Sequence, residues 1–258
     1  MKRRGNSGQV LIITSLIVVM LLLAAVIYVE DVQKNVPIYT SESNSVFSAV
    51  KIGATHTMIS ALANITADGS PTILAQDLSE FGLILSHQSL NAILSMNYTL
   101  NHILPYNNGV WVSWENDGQG ISSAHVSFFL NYLSTDSEQQ SEFDVNVTTE
   151  INIAGYYVLD GNITHVSVTF TLLNEGTPAL ANYFTVRYQT NDSSSMGEWI
   201  NPTYSSIQNF GNGTQLVHFS IANQTRTEPL PVSVYARDLR GVSVMANATA
   251  FNLGSGPT

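Results

Sequence analysis

The residues of this sequence that point most directly to chemistry are eight Asn-x-Ser/Thr tripeptides. They begin at Asn64, Asn97, Asn146, Asn162, Asn191, Asn212, Asn223 and Asn247. Such a tripeptide accepts an N-linked glycan when its Asn is exposed on the outer side of a membrane. Seven of the eight end in Thr, far more than random placement of 23 Asn and 22 Thr in 258 residues would give. We therefore expect several of them to carry sugar, the alternative being that a turn-rich β-protein simply accumulates Asn and Thr.

The histidines give no comparable signal for a metal site. No two of them lie two or four residues apart, and the sequence contains no His-Glu-x-x-His motif. Three of them fall in strand-like segments and would meet only through the register of a sheet. We expect ordinary histidines, no metal and no cofactor at these positions: His56, His87, His102, His125, His165 and His218.

Two polar segments have a functional and a structural interpretation. An acidic run offers carboxylate oxygens to a hard cation, but it lacks the alternation and the Gly of a calcium loop, so we expect a solvated linker there. The segment Glu115–Gly120 looks like a Gly-rich phosphate loop, yet no Lys follows it and strand-like runs flank it, so we expect a hairpin turn. The acidic run comprises Asp136, Glu138, Glu142, Asp144 and Glu150.

Aromatic residues are the last candidates for a binding surface. Trp111, Trp114 and Trp199, together with eleven Tyr, form either a contact patch for carbohydrate or protein or part of the core. The sequence contains no Gly-x-Ser-x-Gly nucleophile elbow. We expect a protein that is not an enzyme.

Composition and charge exclude several classes of function. The chain has no Cys, which excludes disulfide scaffolds, thiolate zinc sites, iron–sulfur clusters and cysteine nucleophiles. After residue 4, six scattered Lys and Arg stand against nineteen Asp and Glu. Because phosphate binding requires clustered cations, nucleic acid is excluded as an expected partner.

The N-terminal segment predicts a membrane anchor. Residues Val10–Val29 contain no charge, and a helix of this length spans about 30 Å, the thickness of the hydrocarbon core of a bilayer. The basic cluster Lys2, Arg3 and Arg4 precedes this segment, and two acidic residues follow it. The positive-inside rule then places the N-terminus in the cytoplasm and the C-terminal domain outside the cell. A cleaved secretory signal is the alternative, although its apolar region is typically only about 7–15 residues long.

The stretch KRRGNSGQVLIITSLIVVMLLLAAVIYVED resembles the N-terminus of archaeal type IV pilin-like proteins, which carry a class III signal. The resemblance implies cleavage of the leader between Gly8 and Gln9 or, alternatively, between Gly5 and Asn6. It departs from the family at Ile13, where many pilins have an acidic residue that helps to register subunits. This departure favours a minor or initiating role over that of a major filament subunit.

Hydrophobic periodicity divides the rest of the chain into a helical and a β part. From Thr40 to about Ile103 apolar residues recur every three or four positions, which predicts helices of about 20 and 30 residues separated at Asp68–Pro71. After Pro105 the period becomes two, and about eight strands with intervening turns predict an antiparallel Ig-like β-sandwich. The dipeptide Asp160-Gly161 is the clearest hairpin signal.

A second resemblance concerns the β part. The stretch THVSVTFTLLNEGTPALANYFTVRYQ is similar to a strand–Asn-x-Gly–strand segment of CARDB-like and related Ig-like domains of bacterial and archaeal surface proteins. Because this fold hosts many functions, the resemblance bears on architecture alone.

Together these features predict a membrane-anchored α+β protein with five segments. They are a basic leader (1–9), a transmembrane helix (10–29), a helical stalk or hairpin (30–104), a β-sandwich domain (105–253) and a flexible tail (254–258). The expected function is that of a single-span surface protein, acting as a structural, pilin-like or adhesive component. Its expected partners are the membrane and other pilin-like subunits or cell-surface components. The alternative is a membrane-anchored binding subunit for an extracellular solute or polymer.

Overall fold

The computed structural model describes residues 39–88, 92–114, 117–134, 138–189, 197–222 and 229–254. The chain forms two compact units, Met1–Val46 and Phe47–Thr258. Of the first unit, only the beginning of a helix belongs to the described residues. The leader and the apolar segment Val10–Val29 predicted from the sequence lie outside them.

Two helices precede the sheet, α1 (Tyr39–Ile65) and α2 (Ile73–Gln88). The end of α1 is closed by the hydroxyl of Thr66, which donates to the carbonyl oxygen of Leu62 at 2.9 Å. Asp68 then takes a left-handed backbone conformation with φ of 69°, and the N–H of Gly69 donates to the carbonyl oxygen of Asn64. The helix break predicted at Asp68–Pro71 is therefore confirmed, although the helices have 27 and 16 residues.

One stretch of α1, Asn44–Ile65, is long and apolar enough to cross a membrane by length and composition. This property is compatible with a single-pass membrane protein. Within the second unit, however, Ala54, Met58 and Leu62 on this helix are fully buried in a core shared with the sheet. Packing against the sheet accounts for the apolar face that these three residues form.

Among the described residues, twelve strands form one hydrogen-bonded sheet that curls into a half-barrel. Its main path runs β8-β7-β11-β12-β4-β5-β10-β9, with β3 beside β4, β1 and β2 beside β3, and β6 beside β5. The ladders are antiparallel except for a short parallel contact between β12 and β4. The strands are β1 (Ala92–Leu100), β2 (Val110–Ser113), β3 (Gln119–Ser134), β4 (Glu138–Asp160), β5 (Ile163–Asn174), β6 (Thr177–Pro178), β7 (Ala181–Gln189), β8 (Trp199–Ile200), β9 (Tyr204–Asn209), β10 (Thr214–Ala222), β11 (Leu230–Asp238) and β12 (Ser243–Asn252).

The α+β class is therefore observed, whereas a β-sandwich of two separate sheets is not shown. The short parallel ladder of Phe251 with Tyr156 and of Asn252 with Tyr157 links the strands that a sandwich would keep in separate layers. The predicted hairpin at Asp160-Gly161 is confirmed, since β4 and β5 pair antiparallel on either side of it.

The helical prediction is wrong for residues 92–100, which form strand β1. Ile93 and Leu94 continue the helical spacing of the preceding residues, so the change from the helical period to the strand period of two is not apparent in the sequence. Leu94 is buried, Met96 and Tyr98 are half-buried, and the residues between them are exposed, as expected of a strand with one face on the core. Pairing of β1 along β3 satisfies its backbone and outweighs the local helical pattern.

The second unit contains two hydrophobic clusters that share strand β4. The helix core joins α1 and α2 to β3 and to the first half of β4, where Val145 and Val147 are buried. The sheet core lies inside the curled sheet and includes Ile151 and Tyr157 from the second half of β4. Strand β4, 23 residues long, therefore holds the two clusters together.

An ion-pair network centred on the buried Asp238 occupies the junction of the two clusters, at the turn between β11 and β12. The carboxylate of Asp238 is fully buried. Its Oδ1 accepts hydrogen bonds from the backbone N–H groups of Arg240 and Val242, both at 2.9 Å. Its Oδ2 accepts from Nε of Arg240 at 2.8 Å and from the hydroxyl of Thr149 at 3.2 Å. The buried charge is thus fully satisfied.

The same guanidinium connects this turn to strand β4 and to the turn after β5. Its NH1 donates to both carboxylate oxygens of Glu175, and its NH2 donates to the carbonyl oxygen of Thr148 and the hydroxyl of Thr149. Burial lowers the pKa of Arg240, but the hydrogen bonds and charges of Glu175 and Asp238 raise it, and the net pKa lies above the usual arginine value. Arg240 is therefore permanently charged.

Ser243, at the start of β12, extends the junction to the helices and to β3. Its N–H donates to the hydroxyl of Thr66 at 3.0 Å, and its carbonyl oxygen accepts from the hydroxyl of Ser122 at 2.7 Å. All three residues are buried. Helix α1, strand β3 and strand β12 thus meet at one hydrogen-bonded point.

We predict that Arg240→Ala lowers the free energy of unfolding by about 3 kcal/mol, because it leaves the buried carboxylate of Asp238 without its partner. Denaturant unfolding followed by circular dichroism measures the loss. Arg187→Ala is the matched control, since Arg187 is exposed and donates through Nε to Asn201. Equal stability of the two variants would show that the two backbone N–H groups and the hydroxyl of Thr149 satisfy Asp238 without Arg240.

The two helix-interior glycines give a second prediction. Gly82→Ala should stabilise the protein by about 0.5–1 kcal/mol, because Ala favours helix and the added Cβ meets Met96 at an ordinary 3.6 Å. Gly53→Ala should bring no gain, because its Cβ would lie 2.6 Å from Cζ of Phe81 and displace that ring. Thermal unfolding compares the variants. A Gly53→Ala protein as stable as Gly82→Ala would contradict the close packing of the two helices.

Candidate functional site

A concave cleft of about 730 Å³ lies where β12 runs beside β4. Gly118 is inserted between the two strands: its N–H donates to the carbonyl oxygen of Asn247 at 2.9 Å, and its carbonyl oxygen accepts from the N–H of Ile153 at 2.7 Å. The direct ladder between the strands begins further on, at Phe251 and Tyr156. We call this region the β4–β12 cleft.

The insertion requires glycine at position 118. Its φ is 77°, in the left-handed region, and a Cβ there would lie 2.6 Å from the carbonyl oxygen of Ile153. The sequence Asp117-Gly118 supplies this conformation, and β2 and β3 pair antiparallel on either side of it. The predicted hairpin connection over Glu115–Gly120 is therefore confirmed, and residues 115 and 116 lie outside the described part of the chain.

Aromatic and uncharged polar side chains line the cleft. Trp199 is 38% exposed and Phe251 is 63% exposed, so both present open ring surface. Thr249 is exposed, while Asn247 is half-buried and its Oδ1 has no hydrogen-bond partner. Asp117 is the only ionisable residue among the described residues that line the cleft. The volume lies within the range of about 300–1,000 Å³ that is usual for small-molecule sites.

The three tryptophans do not form one patch. Trp114 packs on the sheet core and donates from Nε1 to the hydroxyl of Ser122 at 2.9 Å. Trp111 is half-buried and meets the ring of Tyr106 edge-on, with ring centroids 6.0 Å apart. Trp199 alone belongs to the cleft. Trp114 is therefore part of the core, as one of the two interpretations predicted. Trp199 is the tryptophan to which the other interpretation, a contact surface, applies.

Sheet register brings two of the three strand histidines together. His165 lies opposite Ser220, and His218 lies opposite Ser167, so both rings share the outer face of β5 and β10. Each Nδ1 is hydrogen-bonded to the opposite serine, at 3.0 Å and 2.7 Å. His125 lies elsewhere, on β3, with its Nδ1 at 2.7 Å from the side-chain amide of Asn101. Within the described ranges, no group of three or more His, Asp or Glu could hold a metal ion.

The acidic run forms part of a strand, which contradicts the prediction of a solvated linker. Glu138, Glu142, Asp144 and Glu150 lie on β4 at even-numbered positions, so they share one face of the sheet. The alternate positions Val145 and Val147 are buried, and this alternation holds the segment in the sheet. Asp136 lies outside the described residues.

Six of the eight sequon asparagines are described. Five are exposed, and Asn247 is half-buried within the β4–β12 cleft. Asn191 and Asn223 lie outside the described ranges, as do the predicted leader residues Gly5, Asn6, Gly8 and Gln9 and the basic residues Lys2, Arg3 and Arg4. The exposed five are Asn64, Asn97, Asn146, Asn162 and Asn212.

Sequence reasoning identified Asn247 and Trp199 singly but missed Thr249, Phe251 and the role of Gly118. Thr249 and Phe251 alternate along β12, so period two gives a signal for their common face. No sequence signal shows that β12 lies beside β4, because nearly a hundred residues separate these segments. The cleft as a whole was therefore not predictable.

We predict that glycans occupy several of the five exposed sequons and that Asn247 remains unmodified, because Asn247 is half-buried in the lining of the cleft. Peptide mass spectrometry of the protein from its native host measures the occupancy of each site. Asn97 on β1 and Asn247 on β12 form a matched pair, since both lie within strands. A glycan on Asn247 together with unmodified Asn residues at the five exposed sequons would contradict the prediction.

No family model matches this chain, and no curated protein matches it either. The resemblances to archaeal pilin-like leaders and to CARDB-like domains therefore stay predictions from short stretches of sequence.

Proposed function

We propose that this chain is a single-span surface protein whose body lies outside the cell as a structural, pilin-like or adhesive component, and not an enzyme. The observation that carries the proposal is the placement of the sequons: five of the six described ones expose their Asn on the surface of the body. Such acceptor sites have a use only on the outer side of a membrane. The basic cluster before Val10–Val29 supports the same orientation.

The composition of the body supports the same proposal. Few charges, many hydroxyl and amide side chains and a continuous β-sheet suit a glycosylated surface domain. The Ig-like architecture is part of this proposal. Its support is the sheet core, in which residues of β5 and β10 on one flank of the curled sheet pack with residues of β7, β11 and β12 on the other.

The β4–β12 cleft favours a second candidate, a membrane-anchored binding subunit for an extracellular solute or polymer. An open cleft of about 730 Å³ with two exposed rings is more than a purely structural subunit requires. The two candidates have the same membrane topology. They differ in whether a ligand binds in the cleft. An adhesive component combines both, because it is a surface subunit that binds a polymer.

Protease treatment of intact cells tests the proposed topology. We expect the region after residue 30 to be digested and an N-terminal tag to be spared, with lysed cells as the control in which both are cut. Protection of a C-terminal tag in intact cells would overturn the proposal. N-terminal sequencing of the sheared surface fraction then separates the forms: a chain beginning at Gln9 or Asn6 supports the pilin-like form, and an intact Met1 supports the simple anchor.

A further inference from the structure

We propose that the β4–β12 cleft binds a segment of an uncharged polysaccharide, with Trp199 and Phe251 stacking on the faces of its sugar rings. The inference rests on the adhesive form of the proposed function and names the class of ligand. The first support is the exposure of the two rings. Trp199 and Phe251, which are 38% and 63% exposed, line the same concave cleft, so they offer apolar ring surface at one site. The CH face of a pyranose ring matches such a surface in size and shape.

The polar groups of the cleft fit a ligand that is rich in hydroxyl groups. Asn247 has a carbonyl oxygen with no donor, and an unsatisfied buried acceptor is destabilising. A rotation of its amide within the cleft lining would bring this oxygen within reach of a sugar hydroxyl that can donate to it. The exposed hydroxyl of Thr249 can both donate and accept beside it.

The charge of the described cleft lining disfavours an anionic polymer. Asp117 is the one ionisable residue among the described lining residues, and no cation stands beside it in that lining. A uronate, sulfate or phosphate group would therefore meet a carboxylate and no counter-charge. An uncharged sugar chain does not pay this penalty.

The backbone of β12 at the cleft offers little for an extended peptide. Peptides commonly add to a sheet through a free strand edge. Here β12 is paired with β11 along one side, including Thr249 opposite Pro231. Its other side is occupied by Gly118 and by the ladder with β4. Along β12, recognition therefore comes from side chains, which favours sugar over peptide, and the only strand edge left open beside the described lining is that of the two-residue strand β8.

Binding of neutral oligosaccharides to the full-length protein in phosphatidylcholine nanodiscs tests the inference. The probes are neutral hexasaccharides of glucose, galactose, mannose or N-acetylglucosamine, with hexagalacturonate as the anionic probe and a neutral hexapeptide as the peptide probe. We expect at least one neutral hexasaccharide to bind, measured by calorimetry, and its binding to change tryptophan fluorescence. Absence of binding by every neutral probe, or tighter binding of the anionic or peptide probe, overturns the inference.

Substitutions of the two aromatic residues test whether the sugar binds in the β4–β12 cleft. Trp199→Ala and Phe251→Ala should each weaken binding at least tenfold, since each removes one stacking surface. Phe210→Ala is the matched control, because Phe210 is a 50% exposed ring away from the cleft lining, and it should bind like the parent protein. Circular dichroism verifies that all three variants are folded. Equal affinity of the three variants would place the sugar elsewhere and overturn the inference, while the protease assay of topology would be unaffected.

Discussion

Asp238 carries a negative charge into the interior of the protein, and the groups that satisfy this charge connect the segments that meet where the two hydrophobic clusters adjoin. A buried carboxylate is strongly unfavourable unless it is paired and hydrogen-bonded. Arg240 supplies the pair from the same turn and also binds Glu175 and the middle of β4. The compensation of one charge thus fixes three segments that are distant in sequence.

The position of the cleft follows from this junction. Strand β12 begins at Ser243, which is bonded to helix α1 and to strand β3, and it ends in the parallel contact with β4. Between these two fixed points, Gly118 separates the strands. Because both ends are held, the side chains of Asn247, Thr249 and Phe251 are presented from a rigid strand. A site on a rigid element positions its groups more precisely than a site on a loop.

Agreement or conflict between the local sequence period and burial in the tertiary structure explains which elements were predicted correctly. Segments with a strong period of two, such as Val166–Leu172 and Val232–Ala236, lie in strands β5 and β11 because their alternation agrees with burial on one face. Strand β1 was not predicted, because its short apolar run fits both the helical period and the strand period of two. The acidic run was missed because its alternating Val residues, and not its charges, determine its place on β4. Gly53, which weakens a helix by itself, is explained by the ring of Phe81 that packs against it.

The sequence by itself determined the local features of this protein: the helix break, the alternation of the strands, the turn glycines and the positions of the sequons. These depend on neighbours within a few residues, for which spacing and residue type are sufficient. Only the tertiary structure decided the single curled sheet, the pairing of β12 with β4, the buried position of Asp238 and the placement of Trp199 and Phe251 in the lining of one cleft. Those contacts join residues from tens to nearly a hundred positions apart, and their free energy comes from burial and hydrogen bonding that no local pattern records.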